Sequence, residues 1–192
     1  DDLISSIDIT ATSLYMAGID PPPHFDGRPF LGPDARPRRL IFAARDRIDE
    51  AVDRIRCVRT RRFKYIRNYM PVKGYWEPKY VREHRPMLKV MQELHAEGKL
   101  TPAQALVLAT RKPDEEFYDL QEDPHEIDNL AGTGRHARAL GALRTLIEEW
   151  IAETGDMGML PEKPEAVDPP EVYEEAYVPM KDQENESQRD QQ

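Results

Sequence analysis

Apolar positions along this chain change their period several times, and each change marks an element. Near the start, Ile4, Ile7, Leu14 and Tyr15 fall near helical spacing and Gly18 follows, a residue able to take the positive φ of a helix end, so a helix is expected over residues 3–17. Pro21-Pro22-Pro23 stops it and opens a loop through Asp26-Gly27-Arg28-Pro29. Leu40-Ile41-Phe42-Ala43-Ala44 is short and apolar enough for a buried strand, with Arg45-Asp46-Arg47 at its carboxyl end. Two runs rich in Val, Ile, Phe and Tyr, at 52–59 and 62–69, read as a hairpin turning near Thr60-Arg61. Phe117 to Leu120 supplies another strand, preceded by helices near 86–97 and 102–109. Finally, residues 136–153 place Leu140, Leu143, Ile147, Trp150 and Ile151 on one helical stripe, which should pack across the small antiparallel sheet.

The corner after the last strand is the most specific local pattern. Phe117 and Leu120 can pack on a core, Asp123-Pro124 fixes a turn because proline presets its own φ and biases Asp123 toward extended geometry, and Asn129 can hydrogen-bond nearby backbone. The segment reads as strand, turn, then the start of a helix.

Composition narrows the class. The chain has 192 residues, 39% hydrophobic and 33% charged, enough for one domain with a real core and the balance of a soluble protein. No run approaches the roughly 18 apolar residues of a membrane span, and the first residues lack a basic signal-peptide region, although a longer parent could carry one. The single cysteine, Cys57, excludes an internal disulfide and leaves the compartment open, a periplasmic or secreted parent included. The net charge of −9 conceals an uneven distribution. Residues 161–192 hold ten acidic against three basic residues and lack apolar surface to offset their ordering entropy, so an acidic, disordered tail is expected. Residues 36–85 carry sixteen Lys/Arg against six Asp/Glu. Such a segment suits an anionic ligand, or equally an Arg-rich strand face whose aliphatic stems cover the sheet.

Candidate chemistry is sparse. The five histidines, His24, His84, His95, His125 and His136, show no metal-ligand spacing, there is no glycine-rich phosphate loop, and Ser5 and Ser6 lack a nucleophile-elbow setting. These histidines and serines are read as loop, surface, packing or capping residues. Arg45 and Arg47, at a strand end, are the candidates for charge-assisted bonds to the oxygens of an anionic ligand, with pairing to Asp46, Asp49 or Asp53 as the structural alternative.

Several motifs in register resemble the sulfatases. Glu116 to Ala131, with Phe117-Tyr118-Asp119-Leu120, Asp123-Pro124 and Asn129-Leu130-Ala131, is similar to a signature near the carboxyl end of that family. Ser5 to Ile19 resembles its S-x-x-D-I-x-P-T-L-x-x-x-A-G-I helix, with Ala11 and Ser13 departing from the usual Pro and Leu. His24 to Leu31 and Lys64-Tyr65-Ile66 follow in the family's order. Arg45 to Glu50, Tyr65 to Tyr69 and Trp150 to Asp156 look most like the heparan N-sulfatase (N-sulfoglucosamine sulfohydrolase) branch. The resemblance covers roughly residues 3–160. It implies an alkaline-phosphatase-like α/β parent of which this chain is the carboxyl-terminal α+β part: residues 1–38 ending the large catalytic domain, 39–160 an antiparallel-sheet subdomain with helices, and 161–192 the tail.

The same resemblance implies hydrolysis of a sulfate ester or sulfamate of a sulfated carbohydrate by a formylglycine, with calcium holding the sulfate. It also implies that the catalytic and metal-binding residues lie outside this chain. Cys57-Val58-Arg59-Thr60-Arg61 lacks the Pro/Ala and Ser of the formylglycine motif and lies on an expected strand, so a buried structural thiol is the better reading. Asp1-Asp2 mimics a metal-binding pair without the strand that would aim it. The implied partners are an amino-terminal catalytic domain missing here and a sulfated sugar. A non-catalytic anion- or nucleic-acid-binding module, or a structural interaction module, are the alternatives, but no nucleic-acid motif is present. Substrate and oligomeric state are left open.

Overall fold

Four strands form one antiparallel meander. In the computed structural model, which describes residues 2–33, 35–48, 51–75, 85–158 and 160, strands β1 (Leu40–Ile48), β2 (Ala51–Thr60), β3 (Phe63–Asn68) and β4 (Glu115–Asp119) lie in the order β1-β2-β3-β4. The hairpin turns at Thr60, whose hydroxyl oxygen accepts from the Phe63 amide at 2.9 Å. Pairing sets Phe42 opposite Val58, Val58 opposite Tyr65 and Tyr65 opposite Phe117, so one row of large side chains crosses the whole sheet on one face. The row behind it on the other face is Ala43, Cys57, Ile66 and Glu116.

The first row meets the last helix. Helix α4 (Ala137–Thr154, with α2 and α3 described below) buries Leu140, Leu143 and Ile147 against Val58, Tyr65 and Phe117, as the 3.6-residue stripe predicts. Trp150 is less enclosed than the pattern suggests: it stacks on Phe42 with ring centroids 5.0 Å apart and stays half-buried, because it reaches only the edge strand β1. Gly155 ends the helix at φ 60. Asp156 then accepts from the buried Arg56 guanidinium at 2.5 and 2.8 Å, while Asp46 takes another of its donors at 2.7 Å. This pins the end of α4 to β1 and β2.

Helices α2 (Pro86–Ala96) and α3 (Pro102–Ala105) fill the connection to β4. Pro86 occupies the first helical position, where a missing N–H costs nothing, and Thr101 with Gln104 forms a capping box on α3. The helix expected to continue to residue 109 tightens instead into a 3-10 turn, Leu106–Leu108.

Three expectations change. Strand β1 runs on through Arg45 and Arg47, with a register shift between them, rather than ending before them. After β4 there is no helix start at the Asp123-Pro124 corner: the Asp123 carboxylate accepts the amides of Ile127 and Asp128 at 2.7 and 2.8 Å, and Glu126 sits at φ 57, so the chain curls through turns and α4 begins only at Ala137. Along that path the Asn129 side chain lies against the outer edge of β4, accepting from the Phe117 amide at 3.0 Å and donating to the Glu115 carbonyl at 2.9 Å.

The third change concerns α1 (Ile7–Met16), which ends before Gly18 at φ 74. Its buried residues are Asp8, Ala11 and Thr12, whereas Ile4 and Ile7 of the expected apolar stripe are exposed. Asp8 explains the inversion. Its carboxylate is forked by Arg38 at 2.5 and 2.6 Å and accepts the amides of Ser5 and Arg28 at 2.9 Å each, so the loop after the helix folds onto a polar anchor. Gly27 permits the contact, since a Cβ there would sit 2.2 Å from the Ile7 carbonyl oxygen. Asp1–Met159 form one unit and Leu160–Gln192 a second; the expected acidic tail lies outside the described residues. Among the described residues no helix is long and apolar enough to cross a membrane.

Candidate functional site

The cationic end of β1 is built around one buried carboxylate. Asp53, the sole acidic residue of β2, is fully buried, and its Oδ2 accepts from Lys112 Nζ at 2.5 Å and from Arg45 Nη2 at 3.0 Å. Lys112 is equally buried; Arg45 keeps 30% of its side chain in contact with solvent. Two cations thus share one anion, and the cluster carries a net positive charge. Arg45 Nε is enclosed yet finds no hydrogen-bond partner among the described residues. Arg47 lies across the register shift, half-buried. Lys73 donates to the Val52 carbonyl at 2.6 Å beside them. Of the carboxylates foreseen for Arg45, Asp53 is the one used; Asp46 is taken by Arg56, and Asp49 lies outside the described residues. Lys112 was not anticipated. An isolated acid in an otherwise apolar and basic strand is the signal that a buried cation had to exist for Asp53.

Cys57 does not have the setting of a nucleophile. It is paired between Ala43 and Ile66 in mid-sheet, and burial pushes its thiol up to about 11, so it stays protonated. Asp2 is ion-paired with Arg61, and Asp1 is outside the described residues.

Sequence spacing also missed a trio: Asp119, Glu122 and His136 bring their ligand atoms within 4.8 Å of one another. Its charges are already matched. Arg62 forks the buried Asp119 at 2.7 and 3.1 Å, and Arg135 takes Glu122 at 2.6 Å. A guanidinium on the central carboxylate disfavours a cation there, and His136 Nε2 lies 3.3 Å from Asp119 without a hydrogen-bond partner among the described residues.

Beside these clusters, β4 and α4 are joined by Glu115, which accepts from the Tyr65 hydroxyl at 2.6 Å and from Arg144 at 2.5 and 2.9 Å. Glu115, just ahead of the Glu116–Ala131 motif, and the motif's Asn129 together with Trp150 to Asp156 therefore hold the sheet, its edge and its helix together.

Comparison with known proteins decides the family. An ulvan-active sulfatase of Formosa agariphila is 41% identical over 161 residues, 83% of this chain. The chain belongs to the sulfatase family. A second ulvan-active sulfatase of the same organism is 26% identical over 167 residues. The chain spans only 27% and 30% of the length of these relatives. Among solved structures, a 2-O GAG sulfatase superposes with a TM-score of 0.52 at 18% identity, covering 84% of this chain and 28% of that protein. A structure from Bacteroides thetaiotaomicron, also described as a sulfatase, gives 0.51 at 18% identity with the same coverage. No family model matches the chain. In this sulfatase portion, the expected sheet-and-helix architecture is present and the length comparison agrees with a carboxyl-terminal part.

Proposed function

We propose that this chain is the carboxyl-terminal portion of a sulfatase that hydrolyses sulfate esters, or sulfamates, of a sulfated carbohydrate. The observation that carries this is the 41% identity to an ulvan-active sulfatase across most of the chain. Within the parent, residues 1–38 close the large catalytic domain, residues 39–160 form the subdomain beside the substrate, and residues 161–192 are an acidic tail. Arg45 and Arg47 present positive charge to the anionic sugar. Support for this comes from the excess charge around Asp53 and from the unengaged Arg45 Nε.

Calcium and formylglycine belong to the missing part. The described residues do not fit either group: the only thiol is a protonated side chain in mid-sheet, and both carboxylates of the Asp119-Glu122-His136 trio are taken by arginines. No step is assigned through them in this chain. Ulvan, a glycosaminoglycan and N-sulfoglucosamine are the substrates to compare, and a periplasmic or secreted parent suits polymers of that size.

The test is sulfate release from each of these by the polypeptide that joins this chain to its upstream catalytic part, in calcium. Turnover of one class is expected, and none by this chain alone. Turnover by the isolated chain that disappears in Cys57→Ala would overturn the assignment.

A further inference from the structure

Helix α1 is amphipathic in an unusual way. At 100° per residue, Asp8, Ala11, Thr12 and Tyr15 fall in one arc, which faces the folded-back loop through Arg28, Phe30 and Arg38. Ile7 and Leu14 lie on one flank of that arc; Ile9 and Met16 lie on the other. The far side, Thr10 and Ser13, is polar and exposed. Ile7, Ile9 and Met16 are 49%, 57% and 64% exposed, and Ile4, Ile19 and Leu31 at the helix ends and loop are open as well. One exposed isoleucine means little, but two apolar flanks separated by a polar back do not arise on a helix that meets solvent on both sides.

We infer that α1 is one member of a row of helices, with an element of the remaining sulfatase polypeptide packed against each of its two flanks and water only on its Thr10-Ser13 back. The occupant follows from the relatives' length: this chain accounts for 27% of the ulvan-active sulfatase it matches, so most of the parent is available to supply those two neighbours. A single docking surface on one side of the helix would leave one flank uncovered. The Asp8–Arg38 fork sits two residues before β1, so fixing α1 laterally also fixes the origin of the strand that carries Arg45 and Arg47. The identity of the occupant rests on the sulfatase-parent reading above; the two-flank geometry does not.

Single cysteines at Ile7, Ile9, Met16 and Thr10, each in a Cys57→Ser background, are labelled with a maleimide in this chain and in the joined parent polypeptide. Labelling at Ile7→Cys, at Ile9→Cys and at Met16→Cys is expected to slow by at least about tenfold in the parent, while Thr10→Cys reacts at the same rate in both. Protection of one flank alone would overturn the row, and unchanged rates on both flanks would overturn any docking. Protection in this chain by itself, rising with its concentration, would reassign the flanks to a second copy. As a second measurement, Ile9→Asp should lower the parent's unfolding midpoint and leave that of this chain unmoved. A parent that releases sulfate with both flanks fully reactive would sink this inference and spare the proposed function. An inactive parent with both flanks protected would do the reverse.

Discussion

Asp8 illustrates how much one polar residue can determine. Burial alone pushes its carboxyl up, but the Arg38 fork and the amides of Arg28 and Ser5 outweigh that and hold it at about 2, below its ordinary 3.8. The unfolded chain therefore binds the proton more readily, and the stability gained from this group is complete above about pH 4 and lost as pH falls through 2. Glu115, Asp119 and Asp156 are shifted the same way, led in each case by an arginine partner. Acid titration followed by circular dichroism should show stability falling below pH 4, and Asp8→Ala, which strands Arg38, should cost roughly 3 kcal/mol at neutral pH. Arg45 makes a different kind of prediction. With Lys112 still neutralising Asp53, Arg45→Gln should cost the fold less than about 1 kcal/mol, yet lower kcat/KM of the joined parent by about tenfold or more. A loss of stability with kcat/KM intact would make Arg45 scaffold. Sequence alone singled out Arg45 and offered Asp53 among its partners, but it missed Lys112, which is far from Asp53 in sequence and paired with it by no local pattern.

At the level of elements, the legible parts were those whose side chains obey a single period. The strands carrying Phe42, Val58, Tyr65 and Phe117 and the stripe Leu140, Leu143 and Ile147 could be read from apolar runs and helical repeat before any contact was known, whereas the row those strands form across the sheet needed the register. Helix α1 could not be read this way, because its inward arc is chosen by a salt bridge thirty residues away rather than by hydrophobicity. The corner after β4 misled for a related reason, since Asp123 spends its carboxylate on a turn that looks like a helix start. These differences have measurable consequences. Phe117, at 0% exposure, should cost about 3 to 5 kcal/mol on truncation to Ala by chemical denaturation. Trp150→Ala, which loses mainly its stack on Phe42, should cost distinctly less, on the order of 1 to 2 kcal/mol. Equal losses would show that α4 covers β1 more tightly than the half-buried indole indicates.

Taken whole, the molecule is a sheet-and-helix portion of a sulfatase whose own residues are engaged mainly in holding that portion together. Motif order made the family readable, whereas the substrate was not, since the described residues that touch one another are mostly each other's structural partners. The two ends of the sheet are not alike. Along β4 the Asn129 amide imitates a neighbouring strand, meeting one N–H and one carbonyl, and Leu130 donates to the Phe117 carbonyl at 2.8 Å. At the other end β1 pairs, among the described residues, with β2 alone. In polymer terms Asn129 and Leu130 act as an end group on the β4 edge: the Phe117 N–H and carbonyl are already paired, so no further strand can add there. Asn129→Ala would free the Phe117 N–H and the Glu115 carbonyl of that edge, with the Leu130 amide still on the Phe117 carbonyl. Light scattering of that variant at rising concentration should then show more association than the unsubstituted chain, so the asparagine caps an edge against assembly as well as clasping the fold.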